Sequence, residues 1–188
     1  MRTWDTLYPD VMPFIPAGLP EPMVDRQIMR AAQDFCTATR AWRAVLDPVI
    51  TSAGVLSYDV DLDAPAEVVR LESATLDGHC LEVWRENDHG HGRFVATADG
   101  GKTVDLHHAP GDGQKLVLTV TLKPSDSAVG IDADTLVDLY SRTIAMGAIA
   151  YLSGDAVAQA FQDACATINT RVWRGTAQTR PRSRASWF

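Results

Sequence analysis

The chain has 188 residues, of which 46% are hydrophobic and 22% are charged, and its formal net charge is −7. These values predict one soluble globular domain and argue against general nucleic-acid binding by its body. The first residues are not followed by the apolar stretch of a signal peptide, and no run approaches the ~18 apolar residues of a membrane span.

Residues 1–22 are rich in proline, with Pro9, Pro13, Pro16, Pro20 and Pro22. Because proline breaks helices, this part predicts an extended segment that lies across a surface. Four of its apolar side chains are candidates for contact with a neighbouring molecule: Trp4, Tyr8, Phe14 and Ile15.

A long helix is predicted from about residue 23 to residue 43. Proline is tolerated in a first turn, so the helix can begin near Pro22. Val24, Ile28, Phe35 and Trp42 then recur at helical spacing and predict one apolar face.

Residues 44–124 change to a period of two, which predicts strands. Alternation is clearest around Leu56–Leu62 and Leu116–Leu122. Asp77-Gly78 and Asp99-Gly100-Gly101 supply tight turns. The pattern predicts an inserted antiparallel sheet of five or six short strands.

Residues 132–175 return to helical periodicity and predict a helical hairpin that turns at Gly154. We therefore expect an α+β fold: a helix bundle, formed by the long N-terminal helix and the C-terminal hairpin, with the antiparallel sheet as an inserted subdomain. Residues 176–188 are predicted to be an extended C-terminal arm.

The charge is divided sharply along the chain. All 24 acidic residues lie before Arg171 together with 12 of the 17 basic residues, which gives −12, whereas residues 171–188 carry five arginines and no acid. Arginine and aromatic side chains are enriched at protein interfaces. The candidate docking residues are Arg174, Arg180, Arg182, Arg184, Trp187 and Phe188.

No pattern of a catalytic, cofactor or metal site stands out. His89 and His91 share a polar loop, but nothing fixes them beside a carboxylate. The widely spaced Cys36, Cys80 and Cys165 predict reduced thiols, buried in a structural role in preference to a nucleophilic one. No enzyme activity and no cofactor are therefore expected.

The order and spacing of several short motifs resemble the head-to-tail adaptor (connector, or gateway) proteins of tailed bacteriophages. The motifs are Trp4-Asp5, the prolines of residues 8–20, residues 28–36 with Trp42, Tyr58-Asp59-Val60, residues 122–125 and residues 144–148. None of them is a catalytic signature.

The resemblance implies a virion structural protein of the phage neck, made in the host cytoplasm. Copies of such proteins, usually twelve, form a ring under the capsid portal, extend the DNA channel and offer a platform to the tail or the next neck protein. Their C-terminal segments commonly dock into the portal. Genomic DNA would then pass an acidic body without sequence-specific binding.

Two alternatives remain open. Carboxylates of the sheet, among them Asp59, Asp61, Glu67, Glu72 and Glu82, could serve a neck-associated cell-wall hydrolase, which needs one facing pair in a cleft. The arginines could instead make the chain a small regulatory domain that tethers nucleic acid.

Overall fold

A computed structural model describes residues 1–62, 65–84, 94–154 and 157–178, with side chains as far as Val172. In this part of the chain, helices pack against a large curled sheet. Buried side chains from the N-terminal segment, the sheet and the helices form one continuous hydrophobic core.

The N-terminal segment is folded against its own subunit and is not extended as predicted. It contains β1 (Arg2–Thr3), α1 (Tyr8–Val11) and 3-10 turns over Trp4–Leu7 and Met12–Phe14. Trp4, Leu7 and Val11 point into the core. The prolines failed as helix breakers because Pro9 and Pro13 occupy first turns, where no helical hydrogen bond is lost.

The first long helix, α2 (Glu21–Thr39), confirms the periodicity argument. Its predicted apolar positions Val24, Ile28 and Phe35 are all buried. The helix ends at Thr39 and not at residue 43 as predicted, so Trp42 is buried outside the helix. Arg40 follows the last turn with a left-handed backbone (φ 55°), and its N–H donates to the Cys36 carbonyl at 2.9 Å.

The large sheet contains eight strands in the described residues. They are β2 (Arg43–Val45), β3 (Val49–Ile50), β4 (Ser57–Asp59), β5 (Ala66–Leu76), β6 (His79–Trp84), β7 (Phe94–Ala98), β8 (Thr103–Leu106) and β9 (Lys115–Pro124). The order is β2-β9-β5-β6-β7-β8-β4, and β3 also pairs with β9. A separate pair joins β1 to β10 (Gly130–Ile131).

The sheet is mixed, and the expectation of a purely antiparallel sheet is wrong. β6 and β7 are parallel, with Val83 opposite Val95, whereas the other pairs in this sheet are antiparallel. Alternation in a sequence predicts which side of a strand is apolar, but it carries no information about the direction of the neighbouring strand.

Two further helices, α3 (Asp134–Ser153) and α4 (Ala158–Gln178), pack against α2 and against each other. α4 continues three residues beyond the predicted end at residue 175. At the helix crossing, a Cβ on Gly147 would lie 2.9 Å from the Ala31 Cβ and 2.9 Å from the Phe161 ring, so only glycine allows this approach.

The predicted fold class is therefore wrong in its proportions. The protein is not a long-helix bundle with a small inserted sheet, because a curled eight-stranded mixed sheet, open like a half-barrel, dominates the described structure. The apolar face of β9, with Leu116, Leu118, Val120 and Leu122, is buried in the same core as α2. The helix α2 and the sheet therefore cover each other's apolar faces.

Candidate interaction surfaces

The four N-terminal residues predicted to meet a neighbouring molecule have different environments. Trp4 is buried and donates a hydrogen bond from Nε1 to the Ala128 carbonyl at 2.9 Å, so it contacts its own subunit. Phe14 leaves 66% of its surface exposed, and Ile15 is half-buried. Of these four side chains, Phe14 is the most available to a second copy.

Tyr8 is half-buried and is fixed within the subunit. Its hydroxyl donates to Asp25 Oδ1 at 2.8 Å, which ties α1 to α2. Burial, and then the hydrogen bond to Asp25, raise the pKa of Tyr8 to about 12. This tyrosine therefore stays neutral across the physiological range and acts as a structural donor.

Exposed apolar side chains occur on separate parts of the subunit. Met12, Phe14 and Met23 lie around the N-terminal turns and the start of α2. A second group follows the edge of the sheet: Val45, Ile50, Val55 and Leu56. Leu139 on α3 is exposed as well. The exposed apolar side chains therefore lie on different elements and do not belong to a single segment of the chain.

The predicted docking arm falls largely outside the described residues. Arg174 belongs to the backbone of α4, and Arg180, Arg182, Arg184, Trp187 and Phe188 lie beyond the described range. The helix continues to Gln178, so residues 176–178, which were predicted to be part of an extended arm, are helical.

The two edges of the curled sheet line one cleft, which we call the seam cleft. One wall is Ala44–Val49, from the β2–β3 edge, and the other is Asp59–Leu62, which continues from β4. Its volume is about 400 Å³. Near the cleft, the Tyr58 hydroxyl donates to the Val55 carbonyl at 3.0 Å and holds β4 to the turn that follows β3.

The seam cleft is apolar at its base and acidic around it. Trp42, Leu118 and Leu122 are buried residues of its lining. The charged residues of the lining are Asp47, Asp59, Asp61 and Asp132, with no lysine or arginine among the described residues. Asp132 accepts an ion pair from the Met1 ammonium at 3.1 Å. Sequence reasoning missed this site because only the curl of the sheet brings residues 44–49 near residues 59–62.

The carboxylates proposed for a hydrolase serve different roles. Glu72 accepts two hydrogen bonds from the Arg40 guanidinium, at 2.9 and 2.7 Å, and a third from the Thr121 hydroxyl at 2.7 Å. Glu67 pairs with Lys123 at 3.1 Å on the surface. Glu72 is therefore fixed in a structural ion pair. Of the carboxylates proposed for a hydrolase, Asp59 and Asp61 line the seam cleft, together with Asp47 and Asp132.

The thiols confirm the prediction for two of the three cysteines. Cys36 and Cys165 are buried, and burial raises their pKa values to about 12 and about 11. Cys80 is exposed on β6. In the described part of the chain, no three His, Cys, Asp or Glu side chains converge as metal ligands. His89 and His91 lie outside that part.

The chain matches no protein-family profile, and no curated protein is significantly similar to it. None of the described helices has the length and apolar character needed to cross a membrane.

Proposed function

We propose that this protein is a structural component of a bacteriophage neck, a head-to-tail adaptor whose copies form a ring against the capsid portal. The observation that carries the proposal is the division of charge, −12 before Arg171 and five arginines without an acid after it. An acidic body repels the DNA that passes the ring, while a basic segment attracts an acidic protein surface.

The ring contact is assigned to a second copy of the chain. Phe14 and Met12 are exposed apolar side chains of the N-terminal segment, and Val45 and Ile50 are exposed at the sheet edge, so the two groups offer different surfaces. Each copy of a ring contributes both surfaces, one to each neighbour. Twelve copies are expected from the resemblance described above, and the portal would template their assembly.

The docking segment is residues 179–188, whose arginines Arg180, Arg182 and Arg184 would pair with carboxylates of the portal. Trp187 and Phe188 would fill apolar pockets there, as anchor residues do at interfaces. Arg174 precedes this segment in α4 and extends the same positive charge onto the helix.

Co-sedimentation with portal rings tests the docking segment. Deleting residues 179–188 leaves α4 whole, and we expect at least a tenfold loss of bound protein. A triple variant of the segment, Arg180→Ala/Arg182→Ala/Arg184→Ala, should also bind less. Its control is Arg26→Ala/Arg30→Ala/Arg142→Ala, which removes the same charge from three arginines exposed on the body and should bind as the original chain does. Undiminished binding of the deletion variant would contradict the docking role.

A further inference from the structure

We propose that the seam cleft is a binding site for the basic segment of this same chain, residues 179–188, while the subunit is free of the portal. The segment would lie extended between the β2–β3 edge and β4. This inference goes beyond the adaptor function, since it concerns the subunit alone.

The curled sheet is open at both ends of its strand order. β2 and β4 are the two ends of the strand order, so each has one side without a strand partner in the described structure. Exposed strand edges present N–H and C=O groups that readily pair with an added strand. An extended peptide that pairs with such an edge gains main-chain hydrogen bonds and places alternate side chains on opposite sides.

The seam cleft and residues 179–188 carry opposite charges. Asp47, Asp59 and Asp61 are exposed around the cleft and form no ion pair with other described residues. Residues 179–188 contain three arginines and no acidic residue. Transfer of this segment to the cleft therefore brings unlike charges together, and each arginine guanidinium can donate two hydrogen bonds to one carboxylate.

The charges of the two partners also have matching sequence spacing. Asp59, the last residue of β4, and Asp61, just beyond it, are two residues apart, as are Arg180, Arg182 and Arg184. Side chains two apart on an extended chain share one side at a separation of roughly 6.7 Å. An extended segment would therefore present its arginines at the spacing that an extended course from Asp59 to Asp61 gives the two carboxylates. Pro181 falls between the arginines and removes one hydrogen-bond donor while its fixed φ still suits an extended chain.

The path of the chain makes the cleft reachable. α4 follows α3 after a short connection, so the hairpin returns α4 toward the end where α3 begins. Asp132, which lines the cleft, precedes α3 by two residues. Ten extended residues span about 33 Å, which is longer than α3 itself at about 30 Å.

Photo-crosslinking in the full-length chain tests the proposal. A p-benzoylphenylalanine placed at Trp187 should crosslink to residues 43–50 or 57–62, as mapped by mass spectrometry. Asp59→Asn/Asp61→Asn should lower the yield at least fivefold, and Asp99→Asn/Asp112→Asn should leave it unchanged, since these two exposed aspartates lie outside the cleft. Raising the salt concentration from 0.1 to 1 M shortens the Debye screening length from about 10 to about 3 Å. It should therefore also lower the crosslinking yield.

The proposal would be overturned by crosslinks elsewhere on the body. It would also be overturned if Asp59→Asn/Asp61→Asn left the crosslinking yield unchanged. Asparagine has the size of aspartate, and circular dichroism checks that each variant is folded. The experiment contains no portal, so its failure would leave portal binding by the same segment unaffected. If both proposals hold, the portal displaces the segment from the seam cleft.

Discussion

Arg40 and Glu72 form a two-point ion pair that joins the end of α2 to the middle of β5. The guanidinium donates from Nε and Nη2 at 2.9 and 2.7 Å, and the two side chains are only 12% and 13% exposed. The same carboxylate accepts the Thr121 hydroxyl from β9. One residue thus connects the helical layer to two central strands.

We expect Glu72→Gln to lower the free energy of unfolding by about 3 kcal/mol, because it removes the negative charge from a partly buried, two-point ion pair. The matched control is Glu67→Gln, which removes a surface ion pair and should cost less than about 1 kcal/mol. Urea unfolding measures both. An equal loss of unfolding free energy in the two variants would show that the Arg40–Glu72 pair stabilises the protein no more than a surface ion pair does.

Gly147 sets the distance at which α2, α3 and α4 meet. We expect Gly147→Leu to destabilise the protein by about 1–3 kcal/mol, since its side chain would collide with Ala31 and Phe161. Ala166→Leu places the same side chain on the exposed side of α4 and serves as the control. A Gly147→Leu variant as stable as this control in thermal unfolding would show that the helices can separate without cost.

The sequence predicted local structure better than it predicted architecture. Val24, Ile28 and Phe35 lie on the buried side of α2 as their spacing required, and Asp77 and Gly78 form the expected turn with positive φ values of 48° and 79°. These features depend on neighbouring residues. The alternation around Leu56–Leu62 and Leu116–Leu122 overlaps β4 and β9, although the short β2 and β3 were not foreseen.

Features that depend on distant residues were not predictable. The parallel β6–β7 pair, the curl that forms the seam cleft and the dominance of the sheet all follow from how strands far apart in sequence assemble. Trp4 illustrates the difficulty at a single residue. Its aromatic ring fits an interface or a core equally well, and only its hydrogen bond to the Ala128 carbonyl shows that it belongs to the core.

The buried thiol of Cys36 should make stability fall at alkaline pH. Burial raises its pKa from the usual 9.0 to about 12, so the folded state holds a proton that the unfolded state releases. The stabilisation is complete below pH 9 and is lost as the pH rises toward 12, at about 1.4 kcal/mol per pH unit at most.

Urea midpoints at pH 8 to 10.5 under reducing conditions measure this slope. Cys36→Ala should make this slope less steep. The slope that remains would come from the other groups with raised pKa values, which are the Met1 ammonium, Tyr8, Tyr151 and Cys165. Parallel slopes for the variant and the original chain would show that Cys36 is not the group responsible.

Thiol labelling should distinguish the three cysteines. Cys80 is exposed, so iodoacetamide should modify it in the folded protein, whereas Cys36 and Cys165 should react only after denaturation. Peptide mass spectrometry with and without urea gives the three rates. Rapid labelling of Cys36 in the native state would contradict the packing of α2 against α4. Cys80→Ser should abolish native labelling.

The central claim is that this protein is a ring-forming adaptor, and its mass with and without the portal tests that claim most directly. Native mass spectrometry or analytical ultracentrifugation should find a single subunit alone and about twelve copies on each portal ring. If Phe14→Asp prevents ring formation on the portal, Phe14 belongs to the contact between neighbouring copies. Asp112→Asn, a change at another exposed position, should leave the ring intact. A chain that never associates with its portal under these conditions would contradict the account.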